Sequence, residues 1–417
     1  MAANDNFSRL HPSELPASDP AATMLVEGIQ LAQTDQLEEA LTRFEQATLL
    51  VPQSFHAWYL RGTIELTLDH LDAAELSFQE ALKRESRNTE VRYLLAHTHF
   101  LQDYVEEAAG ELQDILAETP DFLDAYYDCG VALQIMGRYE DAIATFLRRL
   151  EFSADFDTSL MCAMTYELVH DYEHALEHYH AALQLDPQNV MVIENHGATC
   201  LELGRYEEAL ADFQHALELD PGSPDALYGR GRTYFCMEKT DEALEDLSVV
   251  VRLDPENALA WSMLGQVKLY LGQDAAALEC FDKALAMEPD ILIYDFRAQA
   301  KIALGDVPGA LEELREGLEQ EPDNEELVEF YGTTLMEALQ YEEAVEVFGH
   351  LIELLPTEIT PYLRRGEAWY QLGNSTAALA DFRQGLEKAQ KYQPEYVEKC
   401  RQIVEKLSSG ELLSEEE

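Results

Sequence analysis

The residues His174, Glu177 and His178 stand in the order H-x-x-E-H, which one class of zinc peptidases uses to hold its metal ion. A spacing of four residues places both imidazoles on one face of a helix, where they could share a metal ion. However, Ala175 and Tyr179 occupy core positions that recur along the whole chain, and this turns the two histidines outward. We interpret the pair as a weak decoy on a solvated helix surface, and we expect no resident metal ion and no enzymatic activity.

Other motifs of catalysis and cofactor binding are absent from the sequence. The glycines form neither the P-loop nor the dinucleotide-binding pattern, and no G-x-S-x-G nucleophile motif occurs, so we expect no cofactor. The six cysteines are far apart and form no C-x-x-C pair. The first 20 residues lack the apolar core of a secretory signal. We therefore expect a cytoplasmic protein.

The charge balance of the chain limits its partners. Its 417 residues include 81 Asp and Glu against 28 Lys and Arg, a formal net charge of -53. Phosphate binding depends on clustered basic side chains, so nucleic acid and anionic membranes are excluded as partners. No apolar run is long enough to span a membrane. The acidic surface is consistent with a basic protein partner or with adaptation to high salt, and the sequence leaves both interpretations open.

Three kinds of residue recur along the chain at intervals of 33 or 34 residues, which defines eleven units. The first kind is alanine: Ala40, Ala74, Ala108, Ala142, Ala175, Ala209, Ala243, Ala277, Ala310, Ala344 and Ala378. Twelve residues earlier stands Gly or Ala, and four residues later stands Phe, Tyr or Leu, in every unit. Small side chains at two fixed places let antiparallel helices approach closely. The pattern predicts a helix, a turn and a second helix in each unit.

The segments Gly204-Arg-Tyr-Glu-Glu-Ala209 and Ala216-Leu-Glu-Leu-Asp-Pro221 resemble the signature of the tetratricopeptide repeat. The resemblance covers residues 21–392 as eleven repeats and implies an all-α fold, a right-handed α-solenoid superhelix of helix-turn-helix repeats. The flanking sequences suggest disordered residues 1–20, a capping helix over 393–407 and an acidic disordered tail over 408–417.

Proteins of this family use the concave wall formed by their first helices to hold a segment of another protein, which directs attention to the residues predicted on that wall. Three residues before the small residue of the first helix stand Tyr59, Tyr93 and Tyr127 in consecutive repeats. We also assign to this groove His56, His97, Phe100, Glu194 and Tyr228. The alternative is that the tyrosines only pack between neighbouring first helices.

Aromatic and acidic side chains in one groove suit a partner protein that offers an apolar or basic extended segment or helix. The sequence thus predicts a protein-protein interaction scaffold or adaptor. The alternative is a non-catalytic subunit of a larger enzyme or assembly complex, which would bind through its convex or terminal surfaces. The identity of the partner and the oligomeric state stay open, because a repeat fold specifies a surface and not a process.

Overall fold

The computed structural model describes residues 21–287 and 291–409, and this part of the chain contains helices and no strand. The predicted all-α fold is confirmed. Residues 1–20 and 410–417, which include most of the predicted tail, lie outside the described residues.

Twenty-three α-helices follow one another along the described residues. They are α1 (Ala22–Gln33), α2 (Leu37–Leu50), α3 (Phe55–Thr67), α4 (Leu71–Leu82), α5 (Thr89–Leu101), α6 (Val105–Glu118), α7 (Asp124–Ile135), α8 (Tyr139–Leu150), α9 (Phe156–Leu168), α10 (Tyr172–Leu185), α11 (Val190–Glu202), α12 (Tyr206–Leu219), α13 (Pro224–Cys236), α14 (Thr240–Leu253), α15 (Ala258–Tyr270), α16 (Asp274–Met287), α17 (Ile291–Ala303), α18 (Val307–Gln320), α19 (Glu325–Glu337), α20 (Tyr341–Leu354), α21 (Thr360–Gln371), α22 (Ser375–Tyr392) and α23 (Val397–Ser409). Odd-numbered helices up to α21 are the first helices of the eleven repeats, and the following even-numbered helices are their partners.

Short polar side chains begin many of the first helices. In α3, for example, the Ser54 hydroxyl accepts a hydrogen bond from the backbone N–H of Ala57. The same capping contact is made by Asn88, Asp155, Asn189, Ser223, Asn257 and Asn324. Each cap satisfies a backbone donor that has no partner within the helix.

The turn between the two helices of each repeat contains one residue in the left-handed conformation. Five repeats place glycine there, at Gly137, Gly204, Gly272, Gly305 and Gly373. The other six use Asp35, Asp69, Asp103, His170, Glu238 and Leu339. These eleven positions follow the same 33 or 34-residue period as the core alanines, so the turn is a fixed part of the repeat.

The small residue of the first helix lies against the bulky residue of the second helix. A Cβ atom added to Gly28 would be 2.5 Å from the ring of Phe44, and one added to Gly130 would be 2.3 Å from the ring of Phe146. Gly62, Gly265, Gly332 and Gly366 make the same contact with Phe78, Phe281, Phe348 and Phe382. The phenylalanine ring therefore occupies the space that the missing side chain leaves.

The helices form two compact units, residues up to Asp212 and residues from Phe213, with the boundary inside α12. The first unit has apolar clusters centred on Phe44, Phe78 with Phe146, and Tyr179. The second has its own clusters, including one centred on Phe348. At its carboxyl end, Cys400 and Ile403 of α23 are buried against apolar residues of the last repeat.

Candidate interaction groove

A cavity of about 560 Å³ runs across the first helices of repeats two to five in the first unit. Its walls come from α3, α5 and α7, together with the start of α9 and one side chain of α8. The lining residues are Leu66, Thr67, Glu90, Tyr93, Leu94, His97, Leu101, Leu123, Asp124, Tyr127, Asp128, Arg149, Asp155 and Asp157. We call this cavity the acidic groove. Three predicted groove residues line it: Tyr93, His97 and Tyr127.

Tyr93 forms much of the floor of the acidic groove. Its side chain is only 7% exposed, and its ring lies 5.3 Å from the ring of Phe122. Burial raises the pKa of Tyr93, and so does the carboxylate of Asp128, which is a hydrogen-bond partner of its hydroxyl. Tyr93 therefore packs in the core, as the alternative interpretation of the tyrosines held, while it also faces the groove.

Tyr127 is the more accessible of the two tyrosines, being half-buried, with its ring 6.5 Å from that of Phe146. Burial raises the pKa of Tyr127, and the carboxylates of Asp157, Asp128 and Asp155 raise it further. The tyrosine stays protonated at neutral pH and offers both a ring face and a hydroxyl donor to a ligand.

Carboxylates dominate the charge of the acidic groove. Glu90, Asp124, Asp128, Asp155 and Asp157 line it, against the guanidinium of Arg149 and the imidazole of His97. Both basic side chains lie next to carboxylates. His97 Nδ1 is 2.8 Å from Asp128 Oδ2, and Arg149 is 3.6 Å from Asp155. The excess of five carboxylates over two basic side chains makes the groove attractive to a cation.

The other predicted groove residues of the first unit do not line this cavity. Tyr59 and His56 both contact Phe55 in α3, where Tyr59 stacks on its ring at 5.8 Å. Phe100 is half-buried and does not line the acidic groove. Tyr59 packs against the same apolar cluster as Tyr93 and Tyr127, but it does not line the cavity.

Glu194 and Tyr228 lie further along the chain, in α11 and α13. Glu194 is half-buried in the first unit. Tyr228 belongs to the second unit, and there the guanidinium of Arg232 lies over its ring at 5.8 Å. Burial raises the pKa of the Tyr228 hydroxyl, and the charge of Arg232 opposes that shift.

Sequence reasoning missed the carboxylates of the acidic groove. Asp124 stands three residues before Tyr127 and four residues before Asp128, and positions three and four apart share a helix face. The spacing along α7 therefore predicts that Asp124 and Asp128 share the side of the helix on which the groove lies. Asp155 carries no such periodic signal, because it caps α9 from the preceding loop.

In several repeats, an ion pair between two fixed positions links the first helix to the second. In α13 and α14, Arg230 donates two hydrogen bonds of 2.7 and 2.8 Å to the carboxylate of Asp246. Arg365 and Asp381 repeat this geometry, and Arg297 approaches Glu313 to 3.2 Å. Each pair is separated by 16 residues, the same separation as that of the glycine and ring that pack together.

In the sixth repeat, a histidine occupies the position of the arginine, and a cysteine follows four residues later on the same helix. His196 Nδ1 lies 2.7 Å from Asp212 Oδ2 and 3.8 Å from the sulfur of Cys200. Burial lowers the pKa of His196, but hydrogen bonds to Asp212 and Cys200 outweigh it and raise the pKa to about 10. These three residues are not among the predicted site residues, although their spacings of 4 and 16 residues follow the repeat.

The histidines of the H-x-x-E-H motif have a different environment. His174 and His178 both stack on Tyr166, with ring centroids 5.3 and 5.5 Å from it. His174 also lies 2.7 Å from the carboxylate of Asp171. Within residues 21–287 and 291–409 the pair is not part of a metal-ligand group of three. Among those same residues, no helix combines the length and apolar character needed to cross a bilayer.

Comparison with known proteins agrees with the repeat architecture. Family models match residues 25–89 and 64–121 (tetratricopeptide repeat), 197–237 (TPR repeat) and 237–362 (the TPR domain of cytochrome c-type biogenesis protein H). A crystal structure of a tetratricopeptide repeat protein from Parabacteroides merdae is similar with a TM-score of 0.51 and 17% identity, covering 59% of this chain and 98% of that one.

Two curated relatives are similar over part of the chain. Anaphase-promoting complex subunit 7 of Mus musculus is 28% identical over 181 residues, and that of Homo sapiens is 27% identical over the same length. The match covers 42% of this chain and 32% of each relative, so it spans about a third of their length. Tetratricopeptide repeat proteins serve as protein-interaction scaffolds, and their families are generally non-catalytic. The periodic helix pairs and these matches together identify the chain as a tetratricopeptide repeat protein.

Proposed function

We propose that the acidic groove of the first unit holds an extended segment or helix of another protein. The observation that carries this proposal is the combination of aromatic and apolar side chains with five carboxylates in the lining of one cavity. Tyr93, Leu94 and Tyr127 offer a surface for an apolar anchor of the partner. Lysine or arginine side chains of the same segment would pair with Asp124, Asp128 and Asp157, which are not needed to cap a helix.

The dimensions of the acidic groove support a peptide ligand. Its volume of about 560 Å³ lies within the usual range for ligand cavities and accommodates a few side chains. Burial of one aromatic anchor supplies most of the affinity in such an interface, whereas carboxylates at the rim accelerate association and select the partner. We therefore propose a non-catalytic adaptor. The wide spacing of the cysteines supports the cytoplasm as its location.

Selection of peptides from a random phage-displayed library on the full chain tests this function. We expect enriched peptides to combine an aromatic or large apolar residue with lysine or arginine nearby. The groove variant, Asp124→Asn with Asp128→Asn and Asp157→Asn, should bind an enriched peptide about tenfold more weakly, since three of the five carboxylate charges that line the groove are lost. Asp155 is kept in this variant because its carboxylate caps α9.

A matched variant controls for the change in net charge. Glu106→Gln, Glu107→Gln and Glu140→Gln neutralise three exposed carboxylates on the second helices α6 and α8. We expect this variant to bind the peptide as the parent does. Equal weakening in both variants, or enrichment of acidic peptides, would contradict the proposed groove.

The similarity to a subunit of the anaphase-promoting complex favours a second candidate, a structural subunit of a larger assembly. Such a subunit would use its second helices or its ends, where apolar side chains such as Leu49 are exposed. Cross-linking of the chain to its natural assembly, with contacts confined to second helices, would support this candidate over the groove.

A further inference from the structure

His196, Cys200 and Asp212 bring three different metal-ligand atoms together in the first unit. The imidazole nitrogen, the sulfur and a carboxylate oxygen all lie within 4.8 Å of one another. His196 and Cys200 are one turn apart on α11, and Asp212 reaches them from α12. In the described part of the chain, no other group of three His, Cys, Asp or Glu side chains meets this criterion.

Comparison with other repeats shows what is special about the sixth. The two positions held by His196 and Asp212 are held by Arg230 with Asp246 in the next repeat and by Arg365 with Asp381 in the last. Arginine cannot bind a metal ion at neutral pH, because its guanidinium remains protonated. The sixth repeat keeps the carboxylate, exchanges the arginine for an imidazole and adds a thiol at the position of Cys200.

The third position also differs between repeats. Tyr234 in the seventh repeat and Trp369 in the eleventh stand where Cys200 stands in the sixth. Neither side chain is a usual ligand of a divalent metal ion. Both differences from the arginine-containing repeats therefore add a metal ligand. The three ligands lie on two helices that already pack together within the repeat.

We propose that His196, Cys200 and Asp212 form a binding site for Zn²⁺ or a similar borderline-soft divalent metal ion. Nitrogen, sulfur and carboxylate oxygen are the ligands that zinc takes in proteins, and three protein ligands leave a fourth position to water or a partner. This inference is independent of the acidic groove and of its proposed ligand.

The distances allow tetrahedral coordination after a small movement. Zinc bonds of about 2.0 Å to nitrogen and 2.3 Å to sulfur place those two atoms about 3.6 Å apart, close to the 3.8 Å between His196 Nδ1 and Cys200 Sγ. The contact of 2.7 Å between His196 and Asp212 must open by roughly half an ångström. The half-buried carboxylate of Asp212 can make that shift by rotation of its side chain.

Access and proton balance are also compatible with a metal ion. Cys200 is fully buried, whereas the side chains of His196 and Asp212 are 18% and 24% exposed, so an ion can enter from their side. Coordination replaces the proton that His196 Nδ1 shares with Asp212 and the proton of the Cys200 thiol. Both protons are released to water, and the cysteine binds as a thiolate.

Cobalt titration of the purified full chain tests this site. The protein is first stripped of metal with a chelator under reducing conditions and then titrated with Co²⁺ at mildly alkaline pH. We expect a thiolate-to-cobalt charge-transfer absorption that saturates at one equivalent and that Zn²⁺ abolishes. Zn²⁺ should also raise the midpoint of thermal unfolding, because it binds the folded state.

Variants identify the ligands. Cys200→Ser should abolish the charge-transfer absorption, and Asp212→Asn should weaken cobalt binding at least about tenfold. Cys236→Ser is the matched control, since Cys236 is an exposed thiol in α13, and it should leave the titration unchanged. Circular dichroism verifies that each variant folds. If Cys200→Ser does not fold, His196→Gln tests the same site.

Three results would overturn the proposal. They are the absence of a thiolate-to-cobalt absorption in the parent chain, its persistence in Cys200→Ser, and its loss in Cys236→Ser. The last result would assign the signal to an exposed thiol that binds cobalt adventitiously.

Discussion

At the scale of single residues, contact between glycine and an aromatic ring fixes the distance between paired helices. Gly130 cannot accept a Cβ atom without displacing the ring of Phe146, whereas Gly110, in the neighbouring helix α6, has no atom within 4 Å of such a Cβ. The two glycines therefore separate the effect of packing from that of helix propensity.

We expect Gly130→Ala to destabilise the protein by about 1–3 kcal/mol, since the added methyl group overpacks the site. Gly110→Ala should instead stabilise it by about 0.5–1 kcal/mol, because alanine favours the helix. Urea unfolding followed by circular dichroism gives both values. A loss of stability in Gly110→Ala, or none in Gly130→Ala, would contradict the assigned contact.

The ion pair between Arg230 and Asp246 allows a second test at this scale. Asp246 is 5% exposed and accepts both hydrogen bonds of the guanidinium, so Asp246→Ala leaves a partly buried charge without its partner. We expect a loss of about 1–3 kcal/mol of unfolding free energy. The double variant Arg230→Met with Asp246→Leu should recover part of that loss, because it removes both charges. Additive losses in the double variant would show that the two side chains act independently.

At the scale of the helix pair, every repeat has a turn with one left-handed residue, but that residue is not always glycine. Leu339 adopts a φ of 58° between α19 and α20 and is 69% exposed, although leucine rarely adopts this conformation. Gly373 occupies the equivalent place in the next repeat with a φ of 75°.

We expect Leu339→Gly to stabilise the protein by about 1 kcal/mol, since it removes the steric cost of a left-handed leucine. The reciprocal change, Gly373→Ala, should destabilise it by a similar amount. Thermal unfolding midpoints of the two variants give the signs. A decrease with Leu339→Gly would show that the leucine side chain contributes more through packing than its backbone costs.

The sequence predicts the helix pairs well, because each repeat shows the same small and bulky positions. It predicts Tyr93 and Tyr127 on the groove for the same reason. It does not predict which of the three tyrosines line the cavity, since Tyr59 occupies the same repeat position but lies against the ring of Phe55. Nor does it reveal Asp155, which approaches the acidic groove from a loop, where no helical period applies.

At the scale of the whole molecule, the net charge of -53 has two interpretations that experiments separate. If carboxylates attract a basic partner, its affinity should fall as salt increases, because screening weakens the attraction. If they reflect adaptation to high salt, the helices themselves should lose structure at low salt. The concentration of carboxylates around Tyr93 and Tyr127 supports the first interpretation.

The location of a bound peptide tests the central claim most directly. A peptide enriched on the parent chain, carrying a photoreactive aromatic residue at its anchor position, can be cross-linked and the attachment sites mapped by mass spectrometry. If the peptide binds in the acidic groove, we expect attachment within the first helices α5 and α7 and at the start of α9. Attachment confined to the second helices, or to the second unit, would contradict it.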